Sequence, residues 1–294
     1  MLALCCFSTL LQAKEWYTET LYDDWRQTFS IDEKLYEEKT KEQHLVIFQN
    51  ATYGRVLALD GIIQTTEKDE FVYHEMMAHV PMLAHGNAQN VLIIGGGDGG
   101  AIREVLKHKT LKNVTLVEID ESVITFSKKY LPTLSQGGFD DPRATIVIQD
   151  GCQFVKNTKQ KFDVIICDST DPIGPGAVLF TPEFYSDCHK ILSEGGIFVN
   201  QNGVPFMQTG ELKDTYKSRK QYFQDVGYYI GVVPSYVGGF MAWGWATDKK
   251  ENREISLEEL EKRFKNIEGE LKYYTPAIHK ASFVLPKFIQ NSLQ

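Results

Sequence analysis

Between residues 90 and 202 the chain repeats one pattern: a short continuous apolar run, a polar or glycine-rich joint, then a segment with helical spacing. The runs are NVLIIG (90–95), NVTLVEID (113–120), ATIVIQD (144–150), FDVIICD (162–168) and GGIFVNQN (195–202). AIREVLKH, ESVITFSKKY, GCQFVKN and TPEFYSDCHKIL (181–192) stand between them as helices. A strand that is apolar on both faces needs cover on both, and crossover helices supply it. Repeated βα units of this length imply an α/β fold with a doubly wound, mostly parallel sheet and right-handed crossovers. Beyond them the pattern reads as a helix around 208–224, a strand near 227–233, a strand over GFMAWGWAT (239–247) and a charged helix around 256–268.

Ahead of this region the texture differs. Lys34 to Thr40, HLVIFQN (44–50), YGRVLAL (53–59) and GIIQTT (61–66) are strand-like, with turn residues Asn50, Gly54, Asp60 and Gly61 at the joints, so meandering hairpins are expected. From Glu70, FVYHEMMAHVPML sets Phe71, Met76, Met77, Val80 and Leu83 at near-helical spacing. The organisation expected is an apolar extension over 1–13, a small antiparallel β domain over 14–69, and a Rossmann-like domain over 70–294.

Composition excludes several classes. With 43% hydrophobic residues in 294, the chain is neither disordered nor fibrous. Its 31 basic and 39 acidic residues give a net charge of -8, which offers nucleic acid no electrostatic footprint and favours cationic partners. The five cysteines, at 5, 6, 152, 167 and 188, are odd in number, form no C-x-x-C and read as small core residues of a reducing compartment, so a cytoplasmic location is expected. The opening MLALCCFSTLLQA lacks a basic start and a small-x-small cleavage site and is too short to span a bilayer; no membrane association is expected.

Ligands of a doubly wound sheet bind beyond the carboxyl ends of its strands. The first of these strands runs into Gly95-Gly96-Gly97-Asp98-Gly99-Gly100, whose glycines let the backbone turn sharply and approach a ligand closely. Asp98 at its centre would repel a pyrophosphate and attract an ammonium or sulfonium, which argues against a nicotinamide cofactor. Glu118, twenty positions on, can accept both hydroxyls of a ribose. Asp150-Gly151 ends the third strand, where the acid can meet an adenine amino group or simply cap the next helix. Asp168 and Asp171 close the fourth strand before the Pro/Gly-rich IGPGAVLFTP, a reactive-site pattern under a loop. Five carboxylates at one sheet edge call for a cation among them. A metal is not expected: the acids are spread over four strands, the spacing matches no calcium loop, and the seven histidines include no HExxH pair.

GGGDGG (95–100), VEID (117–120), DSTDPIGP (168–175), LDGIIQTTEKDEFVYHE (59–75) and YYTPAIHKASFVLP (273–286) together resemble the polyamine aminopropyltransferase (spermidine synthase) family of bacteria, from about Trp16 to about Phe288. The resemblance implies a methyltransferase-type Rossmann-like fold and transfer of a 3-aminopropyl group from decarboxylated S-adenosylmethionine, as co-substrate, to putrescine, with no cofactor. It also implies that Gln43, Glu118, Asp150, Gly151 and Pro175 hold the methylthioadenosine moiety. By the same likeness Gln64, Tyr73, His74, Asp98, Asp168, Asp171 and Tyr236 line the polyamine channel, with Asp98 also toward the donor and Asp168 as proton acceptor. The N-terminal β domain is implied in assembly of a homodimer or homotetramer. The rival readings are a putrescine N-methyltransferase on the same scaffold and a non-catalytic polyamine- or nucleoside-binding protein; the latter should lack the proposed base or the Asp168/Asp171 pair.

Overall fold

The structure, a computed structural model, describes residues 14–294 other than the Pro175 side chain. The apolar extension expected over 1–13 therefore lies outside the described residues. Strands β1 (Glu15–Thr18) and β2 (Thr28–Ile31) form an antiparallel ribbon. An antiparallel meander follows, β3 (Glu33–Lys39), β4 (His44–Asn50), β5 (Gly54–Leu59) and β6 (Ile62–Thr66). Its tightest hairpin turns at Asp60 and Gly61, both at positive φ (48° and 87°), the backbone that matches the twist of two-residue hairpins.

Helix α1 (Glu70–His85) buries fourteen of its sixteen residues, which makes it a central helix rather than a surface one. It stops at Gly86, whose left-handed backbone returns its N–H to the Met82 carbonyl. The large sheet then builds from β7 (Asn90–Gly95), α2 (Gly100–Leu106), β8 (Asn113–Glu118), α3 (Glu121–Tyr130), α4 (Pro132–Ser135), β9 (Ala144–Ile148), α5 (Gly151–Asn157), β10 (Phe162–Asp168), α6 (Pro182–Ile191) and β11 (Leu192–Gln201). It is completed by α7 (Thr209–Arg219), β12 (Asp225–Val232) and β13 (Phe240–Thr247), and the chain ends in α8 (Glu251–Glu254), α9 (Leu257–Phe264), α10 (Pro276–Ser282) and α11 (Lys287–Ser292).

The strand order is β12-β13-β11-β10-β7-β8-β9, parallel from β11 to β9, with β13 antiparallel to both its neighbours. The order reverses between β7 and β10, where Asp168 pairs in register with Gly95. Alternation splits the core between the two faces: Val91 and Ile93 join Met76, Met77, Val80, Trp243 and Trp245 on the α1 side, while Leu92 and Ile94 join Phe184, Tyr185 and Phe198 on the other.

Several elements differ from expectation. β1 and β2, four residues each, carry too little alternation to announce a strand, and Trp16 points outward. The helix expected over 208–224 ends at Arg219, because Phe223 turns back under the sheet to stack on Phe198, ring centroids 6.2 Å apart. The helix expected over 256–268 stops at Phe264, and α8, α10 and α11 add short helices, α10 announced only by Thr275-Pro276, a cap and a first-turn proline.

Candidate active site

A cleft of about 230 Å³ opens at the reversal point, walled by the carboxyl ends of β7, β8 and β10 on one side and by β5, β6 and the segment after β1 on the other. Gln43, Gln64, Tyr73, His74, Gly95, Gly96, Gly97, Asp98, Glu118, Asp150, Gly151, Asp168, Asp171 and Tyr236 all line it. Gly99 does not: it sits at positive φ before α2, packed against Ser135 and Phe139, and its reason is the turn. The Pro175 side chain lies outside the described residues.

The glycine loop is shaped by contact with β10. Gly96 donates its N–H to the Asp168 carbonyl at 2.9 Å, and a Cβ on Gly95 would stand 2.1 Å from that same oxygen. Asp98 then folds back: Oδ1 accepts the Gly100 N–H at 2.8 Å, and Oδ2 lies 3.2 Å from His74 Nε2. The other ring nitrogen of His74 contacts Glu70 Oε2 at 2.7 Å. Burial alone would raise the Asp98 carboxyl, but the His74 ring outweighs it and holds the acid below its usual value.

Asp168 makes no such ion pair, and the His74 ring lowers it by less than burial and Asp98 raise it. Its Oδ1 accepts the Tyr73 hydroxyl at 2.7 Å, and burial, followed by repulsion from Asp98, pushes its carboxyl up to about 6. Burial holds Tyr73 far above its ordinary range, so the phenol stays a donor. Tyr236 donates to the Gln64 carbonyl at 2.6 Å and sets its ring 6.1 Å from that of Tyr73.

At the other end of the cleft, Glu118 is pushed by burial up to about 7 while its Oε1 accepts the Asp120 N–H at 3.0 Å. Gln43 reaches across from the N-terminal sheet and donates to Asp120 Oδ2 at 3.3 Å. Asp150 combines the two roles open to it, for it accepts the Gln153 N–H at 2.9 Å as the cap of α5 and also faces the cleft.

Around Asp171, itself expected at the site, stands a third group whose other members were not anticipated. Asp171, raised by burial, accepts Gln208 Nε2 at 3.0 Å. Gln208 donates as well to Glu211 Oε2 at 3.2 Å, and its Oε1 accepts from Tyr22 Oη at 3.2 Å. Glu211 is pushed by burial and by Asp171 up to about 8. Glu19, also raised by burial, takes the Ile63 N–H and the Gln27 amide, both at 2.9 Å. Glu19, Tyr22 and Gln208 line the cleft. No local pattern marks them, since each meets the site through contacts distant in sequence.

The ligand atoms of His74, Asp98 and Asp168 lie within 4.8 Å of one another, close enough to consider a metal. Both His74 nitrogens face carboxylate oxygens, at 2.7 and 3.2 Å, an arrangement that an imidazolium satisfies without an ion. Among the described residues no helix is long and apolar enough to cross a membrane.

Known proteins resemble the chain over nearly its whole length. Residues 70–257 match the spermine/spermidine synthase domain and residues 15–67 the spermidine synthase tetramerisation domain. Polyamine aminopropyltransferases of Shigella sonnei and of Escherichia coli O139:H28 are each 52% identical over 284 residues, spanning 97% of this chain and 98% of theirs. A spermidine synthase solved in complex with the transition-state analogue AdoDATO superposes with a TM-score of 0.90 at 41% identity, covering 96% of both chains. The spermidine synthase of Thermotoga maritima gives 0.87 at 40%, covering 96% of this chain and 95% of that one. The chain belongs to the spermine/spermidine synthase family and is an aminopropyltransferase.

Proposed function

We propose that the enzyme transfers the 3-aminopropyl group of decarboxylated S-adenosylmethionine to putrescine by direct in-line displacement, releasing spermidine and 5′-methylthioadenosine, with Asp168 as proton acceptor. The observation that carries this reading is the unequal pair of carboxylates: Asp98 is matched to His74, and Asp168 is matched only to the Tyr73 hydroxyl. Two acids whose surroundings separate their proton affinities are the usual sign of a division between charge anchor and base.

The sulfonium is a good leaving group and needs neither metal nor covalent intermediate. The difficulty is the acceptor, because an alkylamine with a pKa of about 10 is protonated near neutrality and lacks the lone pair with which to attack. Entering a desolvated cleft lowers the amine's proton affinity while burial raises that of Asp168, so the two approach each other. Asp168 takes the proton, and Tyr73 steadies its carboxylate. Asp171, Gln64 and Tyr236 hold the chain of the amine, His74 serves it through Asp98, and Glu19, Tyr22 and Gln208 receive its distal ammonium.

On the donor side Glu118 accepts the ribose hydroxyls, Asp150 and Gly151 meet the adenine, and Gln43 closes over it. Gly95, Gly96 and Gly97 admit the close approach, and Pro175 is assigned by resemblance to the family. Ordinary S-adenosylmethionine carries a carboxylate that Asp98 and Asp171 repel, a discrimination of ~3 kcal/mol in a partly desolvated site. The reaction as written uses no cofactor.

The match of 15–67 to a tetramerisation domain and the exposure of Trp16 and Trp25 support assembly as a homodimer or homotetramer. Free Cys152, Cys167 and Cys188 support a cytoplasmic setting. The test is a mass-spectrometric product assay with the decarboxylated donor and a panel of diamines and polyamines. Spermidine and methylthioadenosine from putrescine are expected. Methyl transfer from S-adenosylmethionine to putrescine at a comparable rate overturns the reading.

A further inference from the structure

Behind His74, out of reach of the cleft, lies a row of buried charges. Glu70 opens α1 one turn ahead of His74 and is 6% exposed. Arg103, from α2, grips both of its oxygens, Nη1 to Oε1 at 3.1 Å and Nη2 to Oε2 at 2.8 Å, and is anchored in turn to the Leu134 carbonyl at 2.7 Å. Arg103 Nε donates to Glu104 Oε1 at 2.6 Å, and Lys107 meets Glu104 Oε2 at 2.9 Å. His79 joins Glu104 at 2.9 Å and His108 at 2.9 Å, and burial keeps His108 neutral by pulling its proton affinity far down.

The row reads Asp98, His74, Glu70, Arg103, Glu104, Lys107, with acids and bases in alternation. Its three acids are matched by Arg103, Lys107 and His74 when that ring carries a charge. Geometry requires the same. A neutral imidazole has one N–H and one lone pair, so in a ring bracketed by two carboxylate oxygens at 2.7 and 3.2 Å the lone pair would face an anion. The groups that face His74 are Glu70 and Tyr73 from α1, Asp98 and Arg103 from the β7–α2 segment and Asp168 from β10; the acids outnumber Arg103, and its charge is spent on Glu70 and Glu104. Burial would strip the ring of its proton, but Asp98 and Glu70 reverse that and raise it well above the usual histidine range.

We propose that Glu70, clamped by Arg103, is a positioning residue that keeps His74 a permanent imidazolium, so that Asp98 stays the charged anchor for a cationic substrate group and Asp168 is left as the acid able to take up a proton. Glu70 touches no substrate; it acts through His74. Without its charge His74 loses its second proton, Asp98 loses its cation, and Asp98 and Asp168 become two carboxylates that compete to be neutral near pH 7.

Two readouts test this, and only the second rests on the proposed reaction. In wild-type enzyme labelled with ¹⁵N-histidine, the His74 ring nitrogens are expected to remain doubly protonated from about pH 6 to 9, and a neutral ring in that range overturns the proposal. In Glu70→Gln the ring should titrate inside that range. The acid limb of kcat/KM for the decarboxylated donor should then rise by about one pH unit, with activity lost about twofold at pH 7 and recovered near pH 9. Glu70→Asp, which keeps the charge, should return the limb to within half a unit of wild type. An unchanged ring, or a loss equal at every pH as a purely structural residue gives, overturns it. Should Glu70→Gln fail to fold, His74→Gln takes its place: it removes the cation, must produce the same upward shift, and an unmoved limb refutes the scheme.

Discussion

Replacing Asp168 with Asn should inactivate the enzyme and stabilise it at the same time. The carboxyl is raised from 3.8 to about 6 in the fold, a difference of about 2 units, which at 1.36 kcal/mol each is a penalty of ~3 kcal/mol for keeping it ionised. Because the group faces a wet cleft, about half of this is realistic. An acid whose folded pKa is raised destabilises the native state above that pKa, and the penalty disappears as pH falls through about 6 toward 3.8. Asn can still accept the Tyr73 hydroxyl, and it removes both the desolvated charge and its repulsion with Asp98. At about 2 °C per kcal/mol for a chain of this size, Tm should rise by ~3 °C at pH 8 and by almost nothing at pH 4. Loss of a general base should meanwhile lower kcat by about 10² to 10⁴. Calorimetry at the two pH values, with product quantified by mass spectrometry, measures both. Turnover above about a tenth of wild type, or a Tm that falls at pH 8, refutes the assignment of Asp168 as the strained base.

In Gly97→Ala the new Cβ would lie 2.8 Å from Glu118 Oε2 and 2.9 Å from Val123, so KM for the donor should rise about tenfold while KM for putrescine stays near wild type; equal changes in both would place Glu118 outside the donor site. Glu211→Gln removes an acid behind Gln208 and Asp171 that is ionised only above about pH 8, and there the expected split is the reverse, a KM increase of at least about fivefold for putrescine alone that fades below pH 7, read from initial rates with each substrate varied. Asp98→Asn should admit the carboxylate-bearing donor: S-adenosylmethionine should become at least about tenfold more potent as a competitive inhibitor, and unchanged potency would show that charge is not what rejects it.

What could be read in advance was whatever repeats locally. The apolar runs of β7, β8, β9, β10 and β11 announced a parallel sheet, and the order reversal that brings Gly95 beside Asp168 follows from how such sheets wind. The acids at strand ends were legible for the same reason. Their inequality was not: Asp98 and Asp168 look alike in sequence and differ because His74 arrives from α1 against only one of them. Glu19 and Gln27 were invisible for a different cause, since Gln27 is held by the Ser235 carbonyl 208 positions away, a contact that no window of the chain contains. Glu75 is the extreme case, a buried carboxylate in mid-helix that accepts the N–H groups of Lys272, Tyr273 and Tyr274 and so pins the C-terminal segment to α1.

The N-terminal sheet is buried on both faces, and this bears on how assembly and acceptor recognition relate. Leu45, Ile47, Leu57 and Leu59 pack on Val123, Leu131 and Leu134 of the α3–α4 region, while Val46, Phe48, Val56 and Ala58 pack beneath Phe29 and Ile31 of the β1–β2 ribbon. The first contact fixes the wall of the cleft; the second carries Glu19 and Tyr22 into it on the segment between the ribbon's strands. That segment is tied down by polar contacts that include Glu19 to the Ile63 N–H, Tyr22 to Gln208 and Gln27 to Ser235. A force that shifts the ribbon is therefore expected to move the Glu19 and Tyr22 end of the cleft before the glycine loop and Glu118, which belong to the other sheet. Any coupling between subunit assembly and catalysis should accordingly appear in the affinity for the amine acceptor rather than for the nucleoside donor.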